Sequence, residues 1–219
     1  MSEANRRPIS QRESSWAKAM ARALAKSAIT PNQISALSIV LGVLGGGCFA
    51  ASGLTMGIDR ILALLGAALF CQLRLLANML DGMVAVEAGK GSPDGPIWNE
   101  APDRFSDIAI LIGAGYGAAF AGAADVALGW AAAVAAVMTA YARELGRSAG
   151  APADFSGPMA KPHRMFVMTM AALISVFESF GQGRGEVIAA GLWIAAIGAS
   201  FTTLRRLARA IAFLRRPKS

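Results

Sequence analysis

Apolar residues run along this chain in long blocks separated by short polar interruptions. Six blocks fall at about 33–53, 60–82, 103–123, 125–145, 164–181 and 185–206. Each has the length, roughly 20 residues, that crosses a bilayer core as helix. The pattern predicts an all-α membrane protein with six transmembrane helices. A different pattern precedes the first block. Lys18, Arg22 and Lys26 recur every four residues along one side of a helix, while Trp16, Met20, Ala23 and Leu24 supply an apolar side. That predicts an amphipathic helix lying on the anionic cytoplasmic leaflet, or alternatively a solvated helix packed on the bundle. Thr30-Pro31-Asn32 ends it and turns the chain into the membrane. The predicted organisation is a basic N-terminus with a juxtamembrane helix over 1–32, then a six-helix transmembrane domain with a basic tail over 33–219.

Composition agrees with this reading. The chain is 55% hydrophobic and 16% charged, against about 45–50% and about 25% in ordinary soluble domains. Charges run through the first 32 residues, so no cleaved signal is expected. Cys48 and Cys71 lie inside apolar blocks as packing residues. His163 is the only histidine, which excludes a histidine-rich metal site.

Basic residues set the orientation. Arg6, Arg7, Arg12, Lys18, Arg22 and Lys26 precede the first block, and Arg205, Arg206, Arg209, Arg215, Arg216 and Lys218 close the chain. Arg143, Arg147, Lys161 and Arg164 border the segment between the fourth and fifth blocks. Loops on the opposite side offer only Arg60 and Arg184. Both termini are therefore expected in the cytoplasm, with the protein in a bacterial inner membrane. The charge belongs beside lipid, so no nucleic-acid partner is expected.

Carboxylates stand at the ends of two blocks, where each ionised group costs about 2.5–3.5 kcal/mol at a helix centre. Arg74, Asn78, Asp81 and Ala85 share one helical face near the end of the second block, and Asn99, Asp103 and Asp107 another at the start of the third, with Glu100 beside it. Two adjacent antiparallel helices would bring these stripes together as an oxygen-rich pocket at the membrane surface. Such carboxylates attract a cation. Hard divalent ions, Mg²⁺ or Mn²⁺, take oxygen ligands and substrate phosphates, and two of them clamp a phosphoryl group in displacement. Asp103 near a helix start also suits the helix dipole whatever its role. The glycines at 42, 45, 46 and 47 suit a tight helix contact.

The segment resembles the signature of the CDP-alcohol phosphatidyltransferase family, D-x2-D-G-x2-A-R followed after a short loop by G-x3-D-x3-D. Asp81, Gly82, Ala85, Asp103 and Asp107 match it, and Thr30-Pro31-Asn32 resembles the T-P-N stretch before the family's first span. The resemblance implies that Asp81 and Asp103 bind divalent metal and that Asp107 is the general base. That base deprotonates an acceptor hydroxyl, which attacks the β-phosphorus of a CDP-linked lipid such as CDP-diacylglycerol, and CMP leaves. Gly82 and Ala85 would make room for the nucleotide, and the family suggests a homodimer. The departures mark a divergent branch. Asn78 replaces the first aspartate, able to ligate metal but without charge, with Glu100 or Glu87 as possible compensation. Val86 replaces the arginine, a role Arg74 is placed to take over in part. Asn99 replaces a glycine, and the loop is longer at twelve residues (87–98).

Arg143, Arg147, Lys161 and Arg164 are candidate ligands of a phosphate on the acceptor, although positive-inside bias alone also places them there. Residues 157–161 loosely resemble the family's G-K segment, and His163 reads as structural or interfacial. The expected activity is transfer of a phosphatidyl group to a phosphorylated polyol, with glycerol 3-phosphate preferred. The rival reading is a catalytically impaired partner protein that binds CDP-lipid or metal. A transporter would place polar groups near the bilayer midplane.

Overall fold

The first long helix begins at a reciprocal cap. Thr30 Oγ1 accepts a hydrogen bond from Gln33 N at 3.3 Å, and the Gln33 side-chain oxygen accepts one from Thr30 N at 2.9 Å. Pro31, whose φ is preset for a first turn, follows directly. The structure, a computed structural model, describes residues 14–87, 89, 93–181 and 184–216. Arg6, Arg7, Arg12 and Lys218 lie outside the described residues, as does the side chain of Glu87, on which one expected compensation for Asn78 falls.

The described chain forms α1 (Ser15–Ala25), α2 (Pro31–Leu54), α3 (Gly57–Glu87), α4 (Gly95–Phe120), α5 (Ala127–Ser148), α6 (Lys161–Glu178) and α7 (Glu186–Leu214). The all-helical reading holds for the described residues, and each predicted block falls largely within a helix of its own, the third and fifth running three residues past theirs. By length and composition, α2, α3 and α7 are apolar enough to cross a membrane. Of the other three, α4 and α5 carry charged residues at one end and α6 at both. α4 differs most from expectation, starting at Gly95, ahead of residue 103. Pro96 sits in its first turn, where a missing N–H is harmless. Asp103 therefore lies two turns inside the helix, so capping does not account for it.

Glycines decide how the bundle packs. A Cβ on Gly46 would stand 2.2 Å from the Ala109 carbonyl oxygen, and one on Gly113 2.2 Å from that of Gly46. One on Gly53 would stand 2.1 Å from the Gly117 oxygen. Backbone therefore touches backbone along the α2–α4 seam, as small residues permit in lipid. Gly42 and Gly45 join the contact, whereas Gly47 faces open space. This seam corrects one expectation. α3 and α4 do not lie face to face along their length; each packs chiefly on α2. Their polar stripes meet only where long side chains bridge them.

The faces of α1 also differ from expectation. Ala17 and Ala21 are buried against Leu80, Met83 and their neighbours on α3, while Trp16 and Met20 are exposed. Small residues dock the helix, the large apolar ones face outward, and Lys18, Arg22 and Lys26 occupy a third, exposed side. The outer surfaces of α2 to α7 are apolar, with Val43, Leu65, Phe120, Val134, Phe177 and Ile197 all exposed. At the end of the bundle away from the carboxylates, Arg60 is buried and pairs with Glu178 at 3.2 Å, its guanidinium also donating to the Ser52 carbonyl and the Ser179 hydroxyl.

Candidate active site

Ser106 on α4 sets the height of the acidic residues. Its Cα and Cβ each lie 2.7 Å from where a Gly42 Cβ would stand, and its hydroxyl donates to the Ser38 carbonyl at 2.9 Å. This contact fixes Asp103 and Asp107 beside the α2 N-terminus. On α3, Asp81 is held by Ser35 Oγ at 2.6 Å and by Gly82 N at 2.5 Å. All three carboxylates are buried, at 3%, 4% and 1% exposure for Asp81, Asp103 and Asp107. Burial this deep is tolerable only with compensating charge.

Four cations supply that charge to Asp103 and Asp107. Arg74, fully buried on α3, donates through one nitrogen to the Asp103 carbonyl at 3.0 Å, to Asp103 Oδ1 at 3.4 Å and to Asp107 Oδ1 at 2.7 Å. Arg164, buried on α6, donates to Asp107 Oδ2 at 2.5 Å and to the Met159 carbonyl at 2.9 Å. The Lys161 ammonium bridges Asn78 Oδ1 and Asp103 Oδ2. Asp107 thus has a guanidinium on each oxygen, and Asp103 is shared by Arg74, Lys161 and, at 3.6 Å, Arg104. Among the described residues, Arg74 Nε and Nη1 and Arg164 Nε are buried without a partner. Buried donors of this kind favour an anion such as a phosphate.

A second ionic layer lies above the first. Arg143 pairs with Glu100 at 2.6 Å and Glu144 at 3.0 Å, and its guanidinium lies 4.9 Å from the Phe155 ring centre. Arg104 pairs with Glu100 at 3.2 Å, and Arg147 with Glu144 at 3.2 Å. Two carboxylates here face three guanidiniums, leaving the rim positive. Glu100 is thus turned to arginines, away from the compensation expected of it at Asn78. Gly82 and Ala85 are half-buried beside Asp81, Asn99 is half-buried, and Val86 and His163 are exposed.

The structure therefore gathers Arg74, Asn78, Asp81, Asp103, Asp107, Lys161 and Arg164 into one cluster and leaves Arg143 and Arg147 on its rim. Among the described residues, no three His, Cys, Asp or Glu side chains converge in the way that holds a metal without rearrangement. The donor chemistry nevertheless suits a hard divalent ion: Asn78, Asp81 and Asp103 offer only oxygen, and an ammonium already bridges two of them.

Sequence reasoning did not single out Ser35, whose serine side chain carried no visible link to a residue 46 positions later. Gly157 was noted only within a loose motif. It has φ +134°, and a Cβ there would meet Thr202 Cγ2 at 2.4 Å. Thr202 Oγ1 also accepts from Met159 N at 3.0 Å. The loop is thereby pinned to α7 and Lys161 is delivered to the cluster.

An apolar groove of about 470 Å³ opens beside Asp81, between α1, α2 and α3, lined by residues including Leu24, Ile34, Leu37, Leu76 and Leu80.

No family model matches the chain. It is 27% identical over 198 residues to a phosphatidylinositol phosphate synthase of Corynebacterium glutamicum, covering 87% of this chain and 82% of that enzyme. It is 32% identical over 152 residues to a bifunctional IPC transferase and DIPP synthase of Rubrobacter xylanophilus, 67% of this chain but 31% of that protein. The fold is that of the phosphatidylinositol phosphate synthase of Mycobacterium tuberculosis. With CDP-DAG bound, that structure superposes at a TM-score of 0.76 with 22% identity, covering 94% of this chain and all of the other. Its complex with manganese and citrate gives 0.73 at 21% identity, over 93% of both chains.

Proposed function

We infer that this chain is a divergent member of the CDP-alcohol phosphatidyltransferase family and a membrane enzyme of phospholipid synthesis. The reading rests above all on Asp81, Asp103 and Asp107 lying buried at the same end of the bundle, with arginine nitrogens that have no partner among the described residues beside them. The donor is a CDP-diacylglycerol-type lipid. The apolar groove beside Asp81 suits its acyl chains, and half-buried Gly82 and Ala85 leave room for the nucleotide. The unpaired donors of Arg74 and Arg164 are placed for phosphate oxygens, so Arg74 supplies charge that Val86 does not.

Asp81 and Asp103 are the residues that would hold a divalent ion, with Asn78 as a neutral donor. Such an ion supplies positive charge to the diphosphate and to the leaving CMP. Asp107 is the general base. Both its oxygens are held by arginines, so it takes the acceptor proton when a guanidinium turns toward the incoming phosphates. Arg143 and Arg147 on the positive rim, with Arg164 beneath, receive the acceptor's phosphate.

The acceptor is a phosphorylated polyol. An inositol phosphate is supported by the name of the relative matched over most of its length, and glycerol 3-phosphate is the alternative favoured by sequence alone. Incubating purified protein with CDP-diacylglycerol and each acceptor, then identifying the lipid product by mass spectrometry, separates the two. Phosphatidylinositol phosphate is the expected product, and phosphatidylglycerol phosphate alone would overturn that choice.

Helices α2 to α7 cross a bacterial inner membrane with both termini cytoplasmic, and the protein forms a homodimer. The apolar outer faces of all six helices support the crossing. A second reading, a catalytically impaired CDP-lipid-binding protein, is favoured by Asn78 and by the doubly held Asp107. Retained nucleotide binding without CMP release from any acceptor would support it.

A further inference from the structure

Asn78 and Lys161 belong to different helices, α3 and α6, and the structure joins them through one ammonium that also holds Asp103. The contact is built into the fold. Gly157 and Thr202 pin the α5–α6 loop to α7, the Met159 carbonyl accepts from Arg164, and Lys161 follows as the first residue of α6. Its side chain is 13% exposed. An ammonium so enclosed remains charged only where oxygens face it, and here a carboxylate and an amide oxygen both do.

The charge balance gives the pair its meaning. An amide at position 78 removes one negative charge relative to aspartate, and an ammonium between 78 and 103 adds one positive charge. Together they change the local balance by two units, the charge of one divalent ion. Asp103 and Asp107 are already paired with Arg74, Arg104, Lys161 and Arg164, while Asp81 is held by Ser35 and the Gly82 amide. A further dication between Asn78 and Asp103 would have to displace the ammonium.

We propose that Lys161 is a resident cation at the Asn78–Asp103 position, standing where a second divalent ion would otherwise bind, so that this chain takes a single exchangeable divalent ion. The proposal rests on the reading of Asp81 and Asp103 as metal ligands. It makes Lys161 a positioning residue, one that keeps Asp103 oriented, and removes it from the set receiving the acceptor's phosphate. Lys161→Arg preserves the charge but not the compact ammonium, which makes it the conservative comparison.

The test counts metal. Purified protein in lipid nanodiscs is titrated with Mn²⁺, and bound ion is followed by electron paramagnetic resonance. The wild type is expected to bind one Mn²⁺ per chain. Asn78→Asp and Lys161→Arg should stay at one, and the Asn78→Asp/Lys161→Met double variant should bind two. Two Mn²⁺ in the wild type overturn the proposal, as does one Mn²⁺ in a double variant that unfolds at the wild-type temperature. Should the double variant not fold, reductive methylation of the wild type decides. Lys161 is expected to react equally slowly with and without saturating Mn²⁺, and exposure by Mn²⁺ would show that the ammonium is displaced. One Mn²⁺ bound with no CMP released from any acceptor contradicts the transferase reading and leaves this proposal standing. Two Mn²⁺ bound by an active wild type does the reverse.

Discussion

Asp107 carries the largest predicted effect of any single side chain. General-base catalysis contributes about 10²–10⁴-fold, so Asp107→Asn should lower kcat for CMP release by that order. Metal-dependent nucleotide binding should persist, because Asp81 and Asp103 remain. Steady-state kinetics with parallel nucleotide-binding titrations check this, and equal activity in the variant would remove the base assignment. Ser35→Ala leaves an oxygen of buried Asp81 unpaired, and losing such a partner costs about 1–3 kcal/mol. The expected readout is weaker Mn²⁺ binding rather than loss of the fold. The two residues also mark how far the sequence could be read. Asp81, Asp103 and Asp107 stood out because ionised groups beside hydrocarbon need a reason to be there. Ser35, Gly157 and the pairing of Lys161 with Asn78 did not, because each acquires its role only through contact with a distant segment.

Helices were legible because apolar blocks of bilayer length have few other solutions. The start of α4 was not, since residues 95–102 contain two prolines and a glycine and read as loop. The packing order was hidden too, because facing stripes imply neighbours while glycine backbone contacts select α2 as the common partner. Gly46→Leu tests that seam. Its Cβ alone would stand 2.2 Å from the Ala109 oxygen, and overpacking of this kind costs typically about 1–3 kcal/mol and occasionally more. The expected outcome is a lowered unfolding temperature together with lost activity, because the same seam sets the height of Asp103 and Asp107. Arg60→Ala should also destabilise, by about 3–5 kcal/mol for a buried pair losing one partner, but should leave residual CMP release per folded molecule unchanged, since it lies at the other end. The α5–α6 loop has its own acid sensitivity. Burial pushes the Asp154 carboxyl up, yet hydrogen bonds from Ser156 and Arg209 outweigh it and hold the group below its ordinary value. A depressed folded-state value stabilises above the unfolded value, about 3.9 for aspartate, and that contribution is lost as pH falls through the folded one. Protection of the Ser156 amide, corrected for the intrinsic exchange rate, should therefore fall in acid, and Asp154→Asn should remove that loss of protection.

At the scale of the molecule, the bundle has two unlike ends. One concentrates the carboxylates, the buried arginines and the rim pairs beside the α2 N-terminus; the other holds the Arg60–Glu178 pair. A lipid headgroup meeting a soluble acceptor needs such an end at the membrane surface. Single cysteines introduced at Ser14 and Arg216 should both label only from the cytoplasmic side of inverted and right-side-out vesicles, and labelling from opposite sides would refute the shared orientation. The central claim is that this end transfers a phosphatidyl group, and its most direct measurement is CMP release by purified protein from CDP-diacylglycerol with Mg²⁺ or Mn²⁺. The account predicts release that requires a polyol phosphate acceptor, requires the divalent ion and falls to background in Asp107→Asn. CMP release from none of the acceptors by folded protein that still binds the nucleotide would contradict it.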